Sequence, residues 1–135
     1  MFNRLFDGHC KCRAVQQNPQ DPDLHTVLGV LFNLSRDFDA AIASFTEATK
    51  LEPTSYSLWN KLGATQANSP SPEGSKQAGS CYDITECSIT LLVYAYRRAL
   101  ELKPNYVRAW VNMGISYVNQ GKYPTAAKYY LRALR

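Results

Sequence analysis

The chain has 135 residues, 45% of them hydrophobic and 19% charged, with a formal net charge of +4. That length holds one domain with a real core, and that composition excludes a disordered or fibrous chain. The surplus of 15 basic over 11 acidic side chains is too mild for a nucleic-acid surface; it suits an anionic peptide or carboxylate as well as an ordinary soluble surface.

The chain opens M-F-N-R-L-F-D-G-H-C, without the apolar run of a signal peptide, and no stretch reaches the roughly 18 apolar residues of a membrane span. The expectation is a cytosolic chain whose four cysteines, Cys10, Cys12, Cys81 and Cys87, are free thiols. His9-Cys10-Lys11-Cys12 has no second pair at finger spacing, so no metal site is expected. Residues 1–20 read as the tail of an earlier helical unit, because Ala14 and Pro19 match Ala48 and Pro53.

From Asp21 onward a period governs the chain. Pro19 and Pro53, His25 and Trp59, Leu28 and Leu62, and Gly29 and Gly63 all recur at a period of about 34 residues. That period, with Trp, Leu-Gly, an aromatic, Ala, an aromatic, Ala and Pro in order, resembles the tetratricopeptide repeat, a helix–turn–helix unit. The first unit, 21–54, gives His25, Leu28-Gly29, Phe32, Ala41, Phe45, Ala48 and Pro53. Only its Trp position departs.

The second unit, 55–104, gives Trp59, Leu62-Gly63, Gln66, Leu92, Tyr96, Ala99 and Pro104, and it is too long. Trp59 and Trp110 stand one and a half periods apart. The excess falls at about 69–87, where S-P-S-P-E-G-S-K-Q-A-G-S reads as a mobile loop. The third unit, 105–135, gives Trp110, Met113-Gly114, Tyr117, Ala126, Tyr130 and Ala133, where the pattern is cut short. The expected fold is therefore all-α, a solenoid of about three helical hairpins with an insertion in the second. Helices are expected near 23–34, 38–51, 55–68, 88–102, 105–119 and 123–135. Asp37, Thr54 or Ser55, and Asn105 are candidate caps. The last helix is expected to leave Tyr130 and Leu134 uncovered and to favour self-association.

Two registers share the first helix of each unit. One packs: Trp59, Leu62, Gly63 and Gln66. The other, Asn60, Ala64 and Asn68, lines the concave side of such a solenoid. The candidate site is Asn33 from the first unit, Asn60, Lys61, Ala64 and Asn68 from the second, and Arg108, Asn112, Ser116 and Asn119 from the third. An amide offers donors and an acceptor together, which suits the backbone of an extended peptide. Lys61 and Arg108 supply charge for a carboxylate. Asn is a poor helix former, so its recurrence on one face asks for a reason beyond solvation. The aromatic residues fall at core spacings. No phosphate loop, nucleophile–base pair or carboxylate pair stands out, so neither an enzyme nor a cofactor is expected.

The strings L-G-V-L-F-N-L-S, L-W-N-K-L-G-A-T-Q-A-N-S, Y-R-R-A-L-E-L-K-P-N-Y-V-R-A-W and N-M-G-I-S-Y-V-N-Q-G resemble the receptors for the type 1 peroxisomal targeting signal, the plant branch above all. The resemblance covers most of Asp21 to Arg135. It implies a protein-import receptor that reads a C-terminal tripeptide like Ser-Lys-Leu and cycles between the cytoplasm and the peroxisomal membrane. Matched motif by motif, it assigns backbone and carboxylate binding to Asn60, Asn68, Asn112 and Asn119, with Lys61, Ala64, Arg108 and Ser116 beside them; Asn33 matches in L-F-N-L-S. It further implies docking to the peroxisomal membrane through a long N-terminal region, and earlier repeats that close the other side of the pocket, neither of which is expected within this sequence. The insertion after Asn68 has no counterpart in the family pattern. Two other readings stay open: a co-chaperone module gripping acidic C-terminal tails, which Ala64 disfavours, and a scaffold without a peptide pocket. On the receptor reading, Asn112→Ala weakens peptide binding about tenfold with little change in stability.

Overall fold

The computed structural model describes residues 16–69 and 84–135, with side chains omitted at 84–88. From residue 22 onward the described residues form six α-helices and no strand; residues 16–17 are helical as well. The six are α1 (Pro22–Leu34), α2 (Phe38–Leu51), α3 (Tyr56–Asn68), α4 (Ile84–Leu102), α5 (Val107–Asn119) and α6 (Tyr123–Ala133). Each odd helix pairs with the next as a hairpin, and each hairpin packs on its neighbour through α2 with α3 and α4 with α5.

Local chemistry sets the helix ends. Asp21 caps α1 by accepting from the Asp23 amide at 3.0 Å, and Pro22 opens the first turn. Asp37 caps α2 by accepting from the Ala40 amide at 3.4 Å. Ser55 stands at the cap of α3 without a side-chain bond, and Tyr106, not Asn105, stands there on α5. α2 and α4 stop at Leu51 and Leu102, two residues before Pro53 and Pro104, whose rings exclude a further turn.

The turn from α1 to α2 needs a left-handed residue, which Arg36 supplies at φ 61°. Gly121 supplies it between α5 and α6 at φ 72°. Both turns close alike: the Asp37 amide donates to Phe32 O and the Lys122 amide to Tyr117 O, each at 2.9 Å.

Within each hairpin a helical glycine admits a ring from the partner helix. A Cβ at Gly29 would stand 2.7 Å from the Phe45 ring, at Gly63 2.8 Å from Tyr96, and at Gly114 2.8 Å from Tyr130. Phe45 and Tyr96 are each 1% exposed. Between hairpins, Leu92, Tyr96, Ala99, Leu100, Ala109 and Met113 form one core cluster. Ala41, Phe45, Leu62 and Ala95 form another.

Two expectations change. Residues 84–87, read as loop, are the first turn of α4, so the Thr90-Leu91-Leu92-Val93 run continues a helix already begun. Tyr130 is only partly uncovered: its ring fills the space beside Gly114, and it stays half-buried where Phe45 and Tyr96 are fully buried. Leu134 is uncovered, at 84% exposure. Residues 1–15, which hold most of the expected remnant of an earlier unit, and 70–83, which hold most of the expected loop, lie outside the described residues.

Candidate functional site

The first helices of the three hairpins bring α1, α3 and α5 around one groove of about 370 Å³. Asn33 enters from α1, Asn60, Lys61 and Ala64 from α3, and Arg108 and Asn112 from α5. Val30, Leu34 and Phe45 complete the lining, and no acidic side chain takes part. The groove thus has an amide-and-cation side and an apolar side.

Two hydrogen bonds tie the hairpins together at its floor. Asn112 Nδ2 donates to Asn60 Oδ1 at 3.1 Å, across 52 residues of sequence. Asn33 Nδ2 donates to Thr65 Oγ1 at 3.3 Å, and that hydroxyl donates in turn to Lys61 O at 2.9 Å. Asn60 is only 5% exposed and Thr65 is fully buried, so these bonds satisfy groups that solvent reaches poorly. Asn60 is far more enclosed than a solvated polar stripe would be.

Lys61 Nζ donates to Ser57 Oγ at 3.0 Å, which holds its ammonium beside α3. Arg108 is exposed and makes no hydrogen bond or ion pair among the described residues. With their charge uncancelled, the two cations leave the groove mouth at positive potential.

Three of the nine expected site residues fall off this lining. Asn68 and Asn119 are exposed at the last turns of α3 and α5. Ser116 is buried, and its hydroxyl donates to Asn112 O at 2.9 Å within its own helix. Val30 and Leu34 were legible from the period, since they stand one repeat before Ala64 and Asn68. Thr65 carried no such signal, because it lies on neither stripe of α3.

His25 fills the one slot where the first unit departs from the repeat pattern. Trp59 Nε1 donates to Pro53 O at 2.9 Å and Trp110 Nε1 to Pro104 O at 2.8 Å. His25 Nε2 lies 2.9 Å from Pro19 O, the same six-residue reach. A carbonyl only accepts, so the proton sits on Nε2. The residue differs and the bond is kept.

Three helical hairpins on this register, closed by glycine–ring contacts, define the class, and family models described as "Tetratricopeptide repeat" match residues 22–55 and 95–128. The chain belongs to the tetratricopeptide repeat proteins. Within that class its sequence is similar to peroxisomal targeting signal receptors. It is 39% identical over 117 residues to the "Peroxisomal targeting signal receptor" of Candida glabrata, covering 87% of this chain and 17% of that protein. The protein of that name from Saccharomyces cerevisiae is 38% identical over 114 residues, 84% of this chain and 16% of that one. The "Peroxisomal targeting signal 1 receptor" of Dictyostelium discoideum reaches 53% over 57 residues, 42% of this chain and 9% of that one. This chain therefore spans about a sixth of the length of the fungal relatives. Among solved structures, a crystal structure of the MamA protein superposes with a TM-score of 0.71 at 21% identity, covering 89% of this chain and 56% of that one. That likeness shows the fold alone.

Proposed function

We propose that this chain is the peptide-binding part of a receptor for C-terminal Ser-Lys-Leu-type signals on peroxisomal matrix proteins. It acts by binding and not by catalysis, in the cytoplasm and at the peroxisomal membrane to which the whole receptor cycles. The observation that carries this is the Asn60–Asn112 bond in a groove with two cations and no acid. Bonded to each other, the two amides keep Asn60 Nδ2 as donor and Asn112 Oδ1 as acceptor, the complement of one peptide unit. Lys61 and Arg108 attract the terminal carboxylate, and Val30, Leu34 and Ala64 give an apolar terminal side chain an apolar surface to pack on. The similarity to peroxisomal targeting signal receptors supports the same assignment.

The test is fluorescence anisotropy with a labelled peptide ending in Ser-Lys-Leu, its C-terminally amidated copy, and an acidic chaperone-tail peptide. The free-acid signal peptide is expected to bind at least tenfold more tightly than the amide. Equal binding of acid and amide overturns carboxylate reading. Preference for the acidic tail moves the chain to the co-chaperone class.

A further inference from the structure

We propose that Thr65, which lines no part of the groove itself, is a positioning residue for it: its hydroxyl fixes which end of the Asn33 amide a ligand meets. This rests on the peptide-binding reading above and adds to it the group that Asn33 reads, a main-chain N–H of the peptide.

A hydroxyl has one proton to give. Thr65 Oγ1 gives it to Lys61 O at 2.9 Å, and a main-chain carbonyl only accepts. Toward Asn33 the hydroxyl oxygen is therefore an acceptor, and the amide presents Nδ2, which donates at 3.3 Å. With the amide reversed, Oδ1 would stand against an oxygen that has no proton left to offer. The run from Asn33 through Thr65 to Lys61 O thus has one direction. Thr65 is fully buried, so solvent replaces neither partner. Asn33 Oδ1 is left on a half-buried side chain in the groove lining, with no hydrogen bond among the described residues. Its lone pairs take a donor from the ligand. In an extended peptide that donor is the main-chain N–H, which every residue but proline brings.

The repeat separates this role from upkeep of the helix. Ser116, the counterpart of Thr65 on α5, makes the same bond four residues back, to Asn112 O at 2.9 Å. It takes no amide from α3 among the described residues, because the counterpart of Asn33 there is Ala67. A buried hydroxyl that only serves its own helix needs nothing from the neighbouring hairpin. On α1 the counterpart is Leu31, with no hydroxyl at all. Between the second and third hairpins the tie is the Asn60–Asn112 bond instead. The counterparts of that pair, Thr26 and Lys61, turn to their own helices, Thr26 to Pro22 O at 2.8 Å and Lys61 to Ser57 Oγ at 3.0 Å. Each joint between hairpins therefore carries one amide tie, at a different height, and the amides of both line the same groove.

Two measurements test this. In the first, without peptide, the Asn33 side-chain amide is assigned by heteronuclear NMR as the NH2 pair that is lost in Asn33→Ala. Its hydrogen exchange is expected to be about fivefold slower in the parent than in Thr65→Val, with Thr65→Ser close to the parent. In the second, fluorescence anisotropy compares peptides ending in Ser-Lys-Leu, each N-methylated at a single residue. One such methyl is expected to weaken binding to the parent about fivefold; Asn33→Ala and Thr65→Val each abolish that penalty, and Thr65→Ser keeps it. A Thr65→Val chain that binds all the peptides more weakly but keeps the penalty shows a structural role only and overturns the proposal. So does an Asn33 amide that exchanges alike in the parent and in Thr65→Val. An Asn33 amide that exchanges in the parent as fast as those of the exposed Asn68 and Asn119 overturns it too, and that comparison needs no Thr65 variant to fold. Equal binding of free-acid and amidated peptides overturns carboxylate reading alone, since the exchange measurement uses no peptide and still decides the Thr65–Asn33 order.

Discussion

Asn60 has its carbonyl oxygen filled by Asn112 and little solvent access, so removing Asn112 does two things at once. Asn112→Ala is expected to weaken peptide binding about tenfold and also to cost about 1–3 kcal/mol of stability, because Asn60 Oδ1 is left buried without a donor. The expectation of unchanged stability held only for an amide facing solvent. Asn112→Asp separates the effects. Its carboxylate can accept from a rotated Asn60 amide while repelling the ligand carboxylate, so urea melts should stay near the parent and binding should vanish. Arg36 carries the other residue-scale prediction. A left-handed backbone costs a side-chain-bearing residue about 1–2 kcal/mol, so Arg36→Gly should stabilise the chain by up to about 1 kcal/mol in the same melts. The polar stripe was readable from spacing, but the pairing within it was not. Asn60 and Asn112 meet only because the second hairpin leans on the third, an angle that no local pattern encodes.

The hairpins themselves were readable because each glycine marks where a ring must fit. Gly29 meets Phe45 and Gly114 meets Tyr130 at one common spacing along the chain. Gly63 and Tyr96 lie about twice as far apart in sequence, yet make the same contact. The extra residues between them therefore leave the glycine–ring contact of the hairpin intact. The end of the insertion was misjudged because Ile84 and Thr85 are β-branched and give a weak helical signal. The register also calls for a left-handed residue at position 70, the counterpart of Arg36 and Gly121, and the sequence has Pro70 there. The proline ring locks φ at a negative value and cannot supply that turn. Deleting 71–87 alone should thus be poorly tolerated. Deleting 71–87 together with Pro70→Gly should restore a three-residue turn like Ser35–Asp37 and melt at or above the parent temperature by circular dichroism.

Across the whole molecule, stability rests on contacts between neighbouring hairpins, and the cluster around Tyr96 joins the second to the third. Burial raises the Tyr96 phenol to about 12. Between roughly pH 10 and 12 the unfolded chain releases that proton while the folded chain keeps it, so stability falls as pH rises through this window and is unaffected below it. The loss amounts to roughly 2–3 kcal/mol. Urea titrations at pH 9 and 12 should show it, and Tyr96→Phe should lose less between the same two values. The insertion acts at this scale too, through the order of folding. α1 and α2 are joined by three residues, whereas α3 and α4 are joined by fifteen. Closing that longer loop costs about 1.4 kcal/mol more in chain entropy, a penalty met before any packing is gained. The outer hairpins then nucleate first and the middle one condenses between them. Asn60, Lys61 and Ala64 all ride on α3, so a half-folded chain has two walls and no floor, and the groove itself comes into being only when its centre has closed.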